Sequence, residues 1–131
     1  MSRRRKRQSL RDLHGIVLLD KPTGITSNAA LQRAKRALGV RKAGHTRTLD
    51  PLASGRQPLC LGQATNVCAV LLDAGKRYAV EARVGTRTDT ADAQGEAIET
   101  STVPCPPDEE LRGCLERFRG AIEQVPPMYS A

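Results

Sequence analysis

The segment that most restricts the fold is a continuous apolar run, GIVLLD (15–20), stopped by Asp20, Lys21 and Pro22. A run of that length closed by a charged turn suits a buried strand. Pro22 and Gly24 mark KPTGIT (21–26) as a turn. Ser27 or Asn28 is placed to cap the element that follows. There Ala30, Leu31, Ala34, Ala37 and Leu38 share one helical face, while Arg33, Lys35 and Arg36 lie largely off it, and Gly39 ends the helix. Strand, tight turn and amphipathic helix in direct succession point to an α/β domain.

Downstream, VRKAGHTRTLDPLASGRQP (40–58) holds no period, and irregular stretches of this length carry function more often than packing. PLCLG (58–62) reads as a short buried segment and ATNVCAVLLDAG (64–75) as an apolar helix closed by Gly75. KRYAVEARVG (76–85) alternates, with Tyr78, Val80, Ala82 and Val84 on one face, which predicts a strand. TRTDTADAQGE (86–96) is turn-rich and EAIE (96–99) a short strand. Pro104, Pro106 and Pro107 form a linker, and a helix is expected from Asp108 to about Phe118, acids at its favourable end. AIEQV (121–125) is a final expected strand. A strand with no partner in view implies that the fold continues beyond it.

With 131 residues the chain has the size of one domain, and three aromatic side chains (Tyr78, Phe118, Tyr129) leave its core to Leu, Val, Ile and Ala. No apolar run nears the roughly 20 residues of a membrane span. The opening MSRRRKRQSLRDLHG has no signal-peptide stretch, so a cytoplasmic protein without membrane contact is expected. The four cysteines lack zinc-knuckle spacing and only two histidines accompany them, which predicts free thiols and no metal. Residues 1–12 carry a net +5 and read as a basic, disordered tail; 13–87 carry +8 and 88–131 carry −6. Such asymmetry fits a polyanion partner. No GxxxxGK[ST] loop and no strand-borne GxGxxG is present.

The chemistry-bearing candidates collect in and around the aperiodic loop. Asp50 follows Arg41, Lys42, His45 and Arg47, and a carboxylate among cations stays ionised, fit to act as nucleophile or base; it is equally the turn residue that precedes a proline. His45 follows Gly44 and can meet a phosphate or a displaced base, or simply shape the loop. Tyr78 can stack on a nucleobase or fill the core. Lys21, at the turn, can hold phosphate, brace the loop or lie in solvent. Asp89 and Asp92 can pair with an arginine or close Asx turns.

Four segments, GIVLLDKPTGITSN (15–28), AGHTRTLDPLASG (43–55), KRYAVEARVGTRTDTADAQG (76–95) and QVPPMYSA (124–131), resemble in order and spacing the TruB family of pseudouridine synthases. The likeness runs from about Gly15 to Ala131. It implies an α/β (α+β) fold with a mixed, largely antiparallel sheet and flanking helices, incomplete at the carboxy end, over residues 13–131. It implies that a monomer isomerises uridine-55 in the T arm of tRNA without a cofactor. Asp50 matches the family's catalytic aspartate, His45 the histidine near the place vacated by the flipped nucleotide, and Tyr78 the tyrosine on the target base. Lys21 and Pro22 match a motif supporting the active-site loop, and Asp92 an acid that engages an arginine from a later strand. Arg41 and Lys42 are expected to contact the RNA.

Two departures accompany the likeness. Arg47 stands where glycine is usual, with a cost of order 1–2 kcal/mol if φ is positive there. Arg56-Gln57 replaces an apolar pair, which is expected to weaken packing beneath the loop. The resemblance also implies later catalytic-domain strands and a carboxy-terminal RNA-binding domain, which are expected to lie outside these 131 residues. The competing reading is a truncated, non-catalytic RNA-binding module of the same family; a small ribosome-associated protein fits the motifs least.

Overall fold

A computed structural model describes residues 10–102 and 104–125. Two compact units, Met1–Arg77 and Tyr78–Ala131, divide the stretch that the sequence reading treated as one domain. The first unit contains β1 (Gly15–Lys21), α1 (Ser27–Leu38), β2 (Ala43–His45), β3 (Gly55–Leu61), a 3-10 turn (Gly62–Val67) and α2 (Cys68–Leu72). The second contains β4 (Thr86–Thr88), β5 (Ala97–Thr100) and α3 (Asp108–Glu116). With antiparallel sheets and three α-helices, the class is the α/β arrangement expected.

The first unit is a three-stranded sheet in the order β1-β3-β2. β1 pairs with β3 from Gly15↔Leu61 to Lys21↔Gly55, and β2 with β3 from Ala43↔Leu61 to His45↔Leu59. Leu59, Cys60 and Leu61 of β3 are buried with Ala30 and Leu31 of α1, and with Val40 and Leu49. This core is aliphatic, as the scarcity of aromatics requires.

Several local expectations are corrected. β1 is not buried on both faces: Ile16 and Leu18 are 51% and 65% exposed. An antiparallel sheet can leave one face open, and the apolar run conceals which residues face outward. The α1 cap is Thr26, whose Oγ1 accepts from the Ala29 N–H at 3.1 Å, not Ser27 or Asn28. At the other end Gly39 adopts the left-handed conformation (φ 64°) that closes helices, with Lys35 and Arg36 in the last turn before it. β2 and the first half of β3 lie inside the stretch read as aperiodic. The helix expected over 64–75 is reduced to a 3-10 turn and α2, with Val70 73% exposed, so burial does not reinforce a longer helix.

In the second unit β4 and β5 pair antiparallel with an irregularity between Arg87 and Thr88. The strand expected over 76–85 does not form: its residues enter no ladder, and Val80 is 84% exposed. Alternation marks which side chains would face a core, but a strand also needs a neighbouring edge. The strand expected over 121–125 is likewise absent, with Val125 97% exposed. EAIE emerges as β5, and the last helix ends at Glu116. Most of the basic tail, and PPMYSA (126–131), lie outside the described residues; Arg11 is described, and its N–H donates to the Gly39 carbonyl at 2.6 Å. Among the described residues no helix is long and apolar enough to cross a membrane.

All four cysteines are free thiols. Burial pushes the Cys60 thiol up to about 11, helped by its hydrogen bond to the Cys68 thiol and by repulsion from that group. The folded state therefore holds this proton more tightly than the unfolded chain, where the ordinary value is 9.0. Stability is expected to be intact below about pH 9 and to fall as pH rises towards about 11, measured by denaturant titration across that window. At pH 8 a thiol reagent is expected to modify the exposed Cys105 and Cys114 rapidly and to reach Cys60 only on unfolding, read by peptide mass mapping.

Candidate active site

Asp50 lies on the loop joining β2 to β3, its side chain exposed. Both of its neighbours are pinned from elsewhere. Leu49, buried, is clamped by Ser27 at the start of α1: Ser27 Oγ accepts from the Leu49 N–H at 2.8 Å and donates to the Leu49 carbonyl at 3.1 Å. Pro51 is held by the turn after β1, where the Gly24 N–H donates to its carbonyl at 2.7 Å. The Ala53 N–H donates to the Asp50 carbonyl at 3.0 Å and closes the loop on itself. A carboxylate is thus presented to solvent from a backbone fixed on either side.

Lys21 supports the same loop from below. It is fully buried, and its Nζ donates to the carbonyls of Pro22 (3.0 Å) and Ile25 (2.8 Å). A buried ammonium needs such partners. The bonds tie up the turn that carries Gly24. Ser27 could not serve as the helix cap because its hydroxyl is committed to Leu49, 22 residues away. Gln57 on β3 completes the assembly: fully buried, its Nε2 donates to the Ser27 carbonyl at 3.2 Å, while its Oε1 has no partner among the described residues. The polar residue at 57 therefore joins the loop's support instead of merely interrupting apolar packing.

His45 ends β2 opposite Leu59, and its buried Nδ1 is also without a partner among the described residues. Arg47 is half-buried and its φ is not positive; the non-glycine residue with positive φ among those described is Ala91, so the strain considered for Arg47 does not arise. Arg41 and Lys42 are exposed just before β2, at the end of the sheet opposite the Asp50 loop. The structure thus joins Lys21, Ser27, Asp50 and Gln57 through one set of hydrogen bonds, places His45 further along the sheet, and sets Arg41 and Lys42 at its far end.

Tyr78 and Asp92 belong to the second unit. Tyr78 is 58% exposed. Asp92 Oδ1 accepts from Thr90 Oγ1 at 2.6 Å and from the Gln94 N–H at 2.8 Å. These bonds, the Thr90 hydroxyl foremost, hold its carboxyl below the ordinary carboxylate value. Asp89 Oδ1 accepts from the Glu96 N–H at 2.9 Å, so both acids shape the turn between β4 and β5. Among the described residues no three His, Cys, Asp or Glu side chains are grouped to hold a metal ion. Ser27 and Gln57 are the site residues that sequence reasoning missed: the first looked like a helix cap, and the second had no local signal of its long-range bond.

Asp50 is thus braced at one end of the sheet, and the exposed cations Arg41 and Lys42 stand at the other. The model of the TruB family pseudouridylate synthase (N terminal domain) matches residues 35–131, and the chain belongs to that family. Over all 131 residues it is 53% identical to tRNA pseudouridine synthase B of Vibrio cholerae serotype O1 (strain M66-2), covering 41% of that protein. It is 55% identical to tRNA pseudouridine synthase B of Tolumonas auensis, covering 40%. The chain thus spans about 40% of the length of these curated relatives. A chain in the crystal structure of a Cbf5-Nop10-Gar1 complex superposes with a TM-score of 0.60 at 27% identity, over 90% of this chain and 30% of that one.

Ser27→Ala leaves the buried Leu49 N–H and carbonyl without their partner, so a loss of about 1–3 kcal/mol is expected by denaturant unfolding, with faster hydrogen exchange at Leu49. Gln57→Leu removes an unpaired buried oxygen together with one hydrogen bond worth about 0.5–1.5 kcal/mol. Stability equal to or above that of the parent is expected; a larger drop than the bond is worth would show that Oε1 is satisfied.

Proposed function

We propose that the chain is the amino-terminal part of a tRNA pseudouridine synthase that isomerises uridine-55 in the T arm, with Asp50 as the catalytic carboxylate. The observation that carries this reading is the fixation of Leu49 and Pro51 on either side of an exposed Asp50. In the reaction the N1–C1′ bond breaks, the uracil turns, and C5 bonds to C1′; nothing is gained or lost, so no redox partner or energy source enters. Asp50 serves either by attacking C1′ and holding the sugar covalently, or by taking the C2′ proton on the way to a glycal. Both routes require an ionised carboxylate whose position does not drift, because a misplacement of about 1 Å can cost 10²-fold in rate.

The other residues take supporting roles in this reading. The uridine must leave its stack at a cost of a few kcal/mol. Tyr78 stacks on the extruded base and His45 meets the place it vacates. Lys21 acts as a positioning residue through the Pro22 and Ile25 carbonyls, and Asp92 is the acid for an arginine. Arg41 and Lys42 supply attraction for the phosphate backbone.

The test incubates a T-arm RNA hairpin with the chain and maps pseudouridine chemically. Product formation that disappears in Asp50→Asn, with RNA binding retained, is the expected result. Binding without product, indifferent to that substitution, favours a non-catalytic RNA-binding module instead.

A further inference from the structure

Away from the Asp50 loop, a cavity of about 130 Å³ opens where the chain enters the first unit, between residues 11–14, Arg41 and Lys42, and Gly62 and Gln63. Its walls come from three separate segments, and each junction is tied. The Arg11 N–H donates to the Gly39 carbonyl at 2.6 Å, the Gly62 N–H to the Lys42 carbonyl at 2.9 Å, and the Gln63 N–H to His14 Nδ1 at 3.1 Å. Because Nδ1 accepts, the imidazole carries its proton on Nε2, which faces Asp12 Oδ1 at 3.5 Å. Asp12, the acid in the lining, is 95% exposed at its side chain and engaged with His14. Arg11, Arg41 and Lys42 form no ion pair among the described residues. Three cations against one exposed carboxylate thus border a small concavity, leaving its rim net positive, and its backbone is fixed before any ligand arrives. The volume is about ten times the ~10–15 Å³ that one water needs, which leaves room for a tetrahedral oxyanion.

The position of the cavity says which phosphate it would take. β3 runs seven residues from Gly55, at the Asp50 end, to Leu61, next to Gly62. At about 3.4 Å per residue the two ends lie roughly 20 Å apart. The cavity is therefore too far away to serve the nucleotide at Asp50. We propose that Arg11, Arg41, Lys42 and the His14-braced wall form a phosphate subsite that grips the RNA backbone remote from the reacting uridine. This rests on the proposed function for its ligand, since a polynucleotide is what spans from Asp50 to the cavity. The subsite sets register and contributes affinity without reading sequence, as backbone contacts do.

The two histidines of the chain make the test direct, one in the cavity wall and one at the Asp50 side of β2. The full chain is titrated with a T-arm RNA hairpin and, separately, with inorganic phosphate, while the ring resonances of His14 and His45 are followed by NMR. The hairpin is expected to shift both. Each of R11Q, R41Q and K42Q is expected to weaken hairpin binding and to reduce the slope of log K against log salt by about 0.7–0.9, while R112Q on α3 leaves the slope unchanged. A hairpin that moves His45 but not His14, with slopes unaltered by the three substitutions, overturns the subsite together with the backbone role of Arg41 and Lys42, and leaves Asp50 as the catalytic carboxylate standing. Movement of His14 alone keeps the subsite and removes the role proposed for His45. A response of His14 to inorganic phosphate but not to the hairpin overturns the assignment to RNA in favour of a small anion, and silence at both histidines overturns both.

Discussion

One serine hydroxyl holds the Asp50 loop in place. Ser27 Oγ meets both polar groups of the Leu49 backbone, donating to one and accepting from the other, in a setting closed to water. Each such group would cost free energy if buried alone. The loop therefore cannot leave the base of α1 without exposing or orphaning them, and Asp50 inherits the rigidity of a helix although it sits on an irregular segment. Loop residues are ordinarily the mobile part of a fold; here the two positions that flank Asp50 are both held by hydrogen bonds from other segments.

The buried polar set around this clamp is unusual for a small aliphatic core. Lys21 and Gln57 are fully enclosed, and each is spent on backbone carbonyls of the turn or the helix start. Such groups do little for net stability once desolvation is counted. Their effect is geometric: they join β1, the turn at 22–25, α1 and β3 into one frame from which the loop is suspended. The unpaired Gln57 oxygen and His45 Nδ1 are the places where satisfaction is incomplete. Departures of this kind gather near functional sites.

Where local chemistry decided the outcome, the sequence was readable. The apolar run of β1, the 3.6-residue stripe of α1 with its closing Gly39, and the acidic first turn of α3 all appear where their patterns put them. The burial of only one face of β1 was not legible, because Ile16 and Val17 are chemically alike and only the sheet distinguishes them. Nor was the fate of residues 76–85: alternation there is clearer than anywhere else in the chain, yet pairing depends on an edge that the pattern does not contain. For the site, Asp50 and His45 were visible as chemistry in an aperiodic loop. Ser27 and Gln57 were not, since each acts across 22 or more residues and each had a sufficient local explanation, as cap or as irregularity.

The Ser27 frame also has an evolutionary consequence. Position 49 enters this frame through its backbone, and Gln57 meets the backbone carbonyl of residue 27, so the side chain on which the loop depends is the Ser27 hydroxyl. A lineage can exchange residue 57 without losing the clamp, whereas a designer transplanting this loop must carry Ser27 and the start of α1 with it.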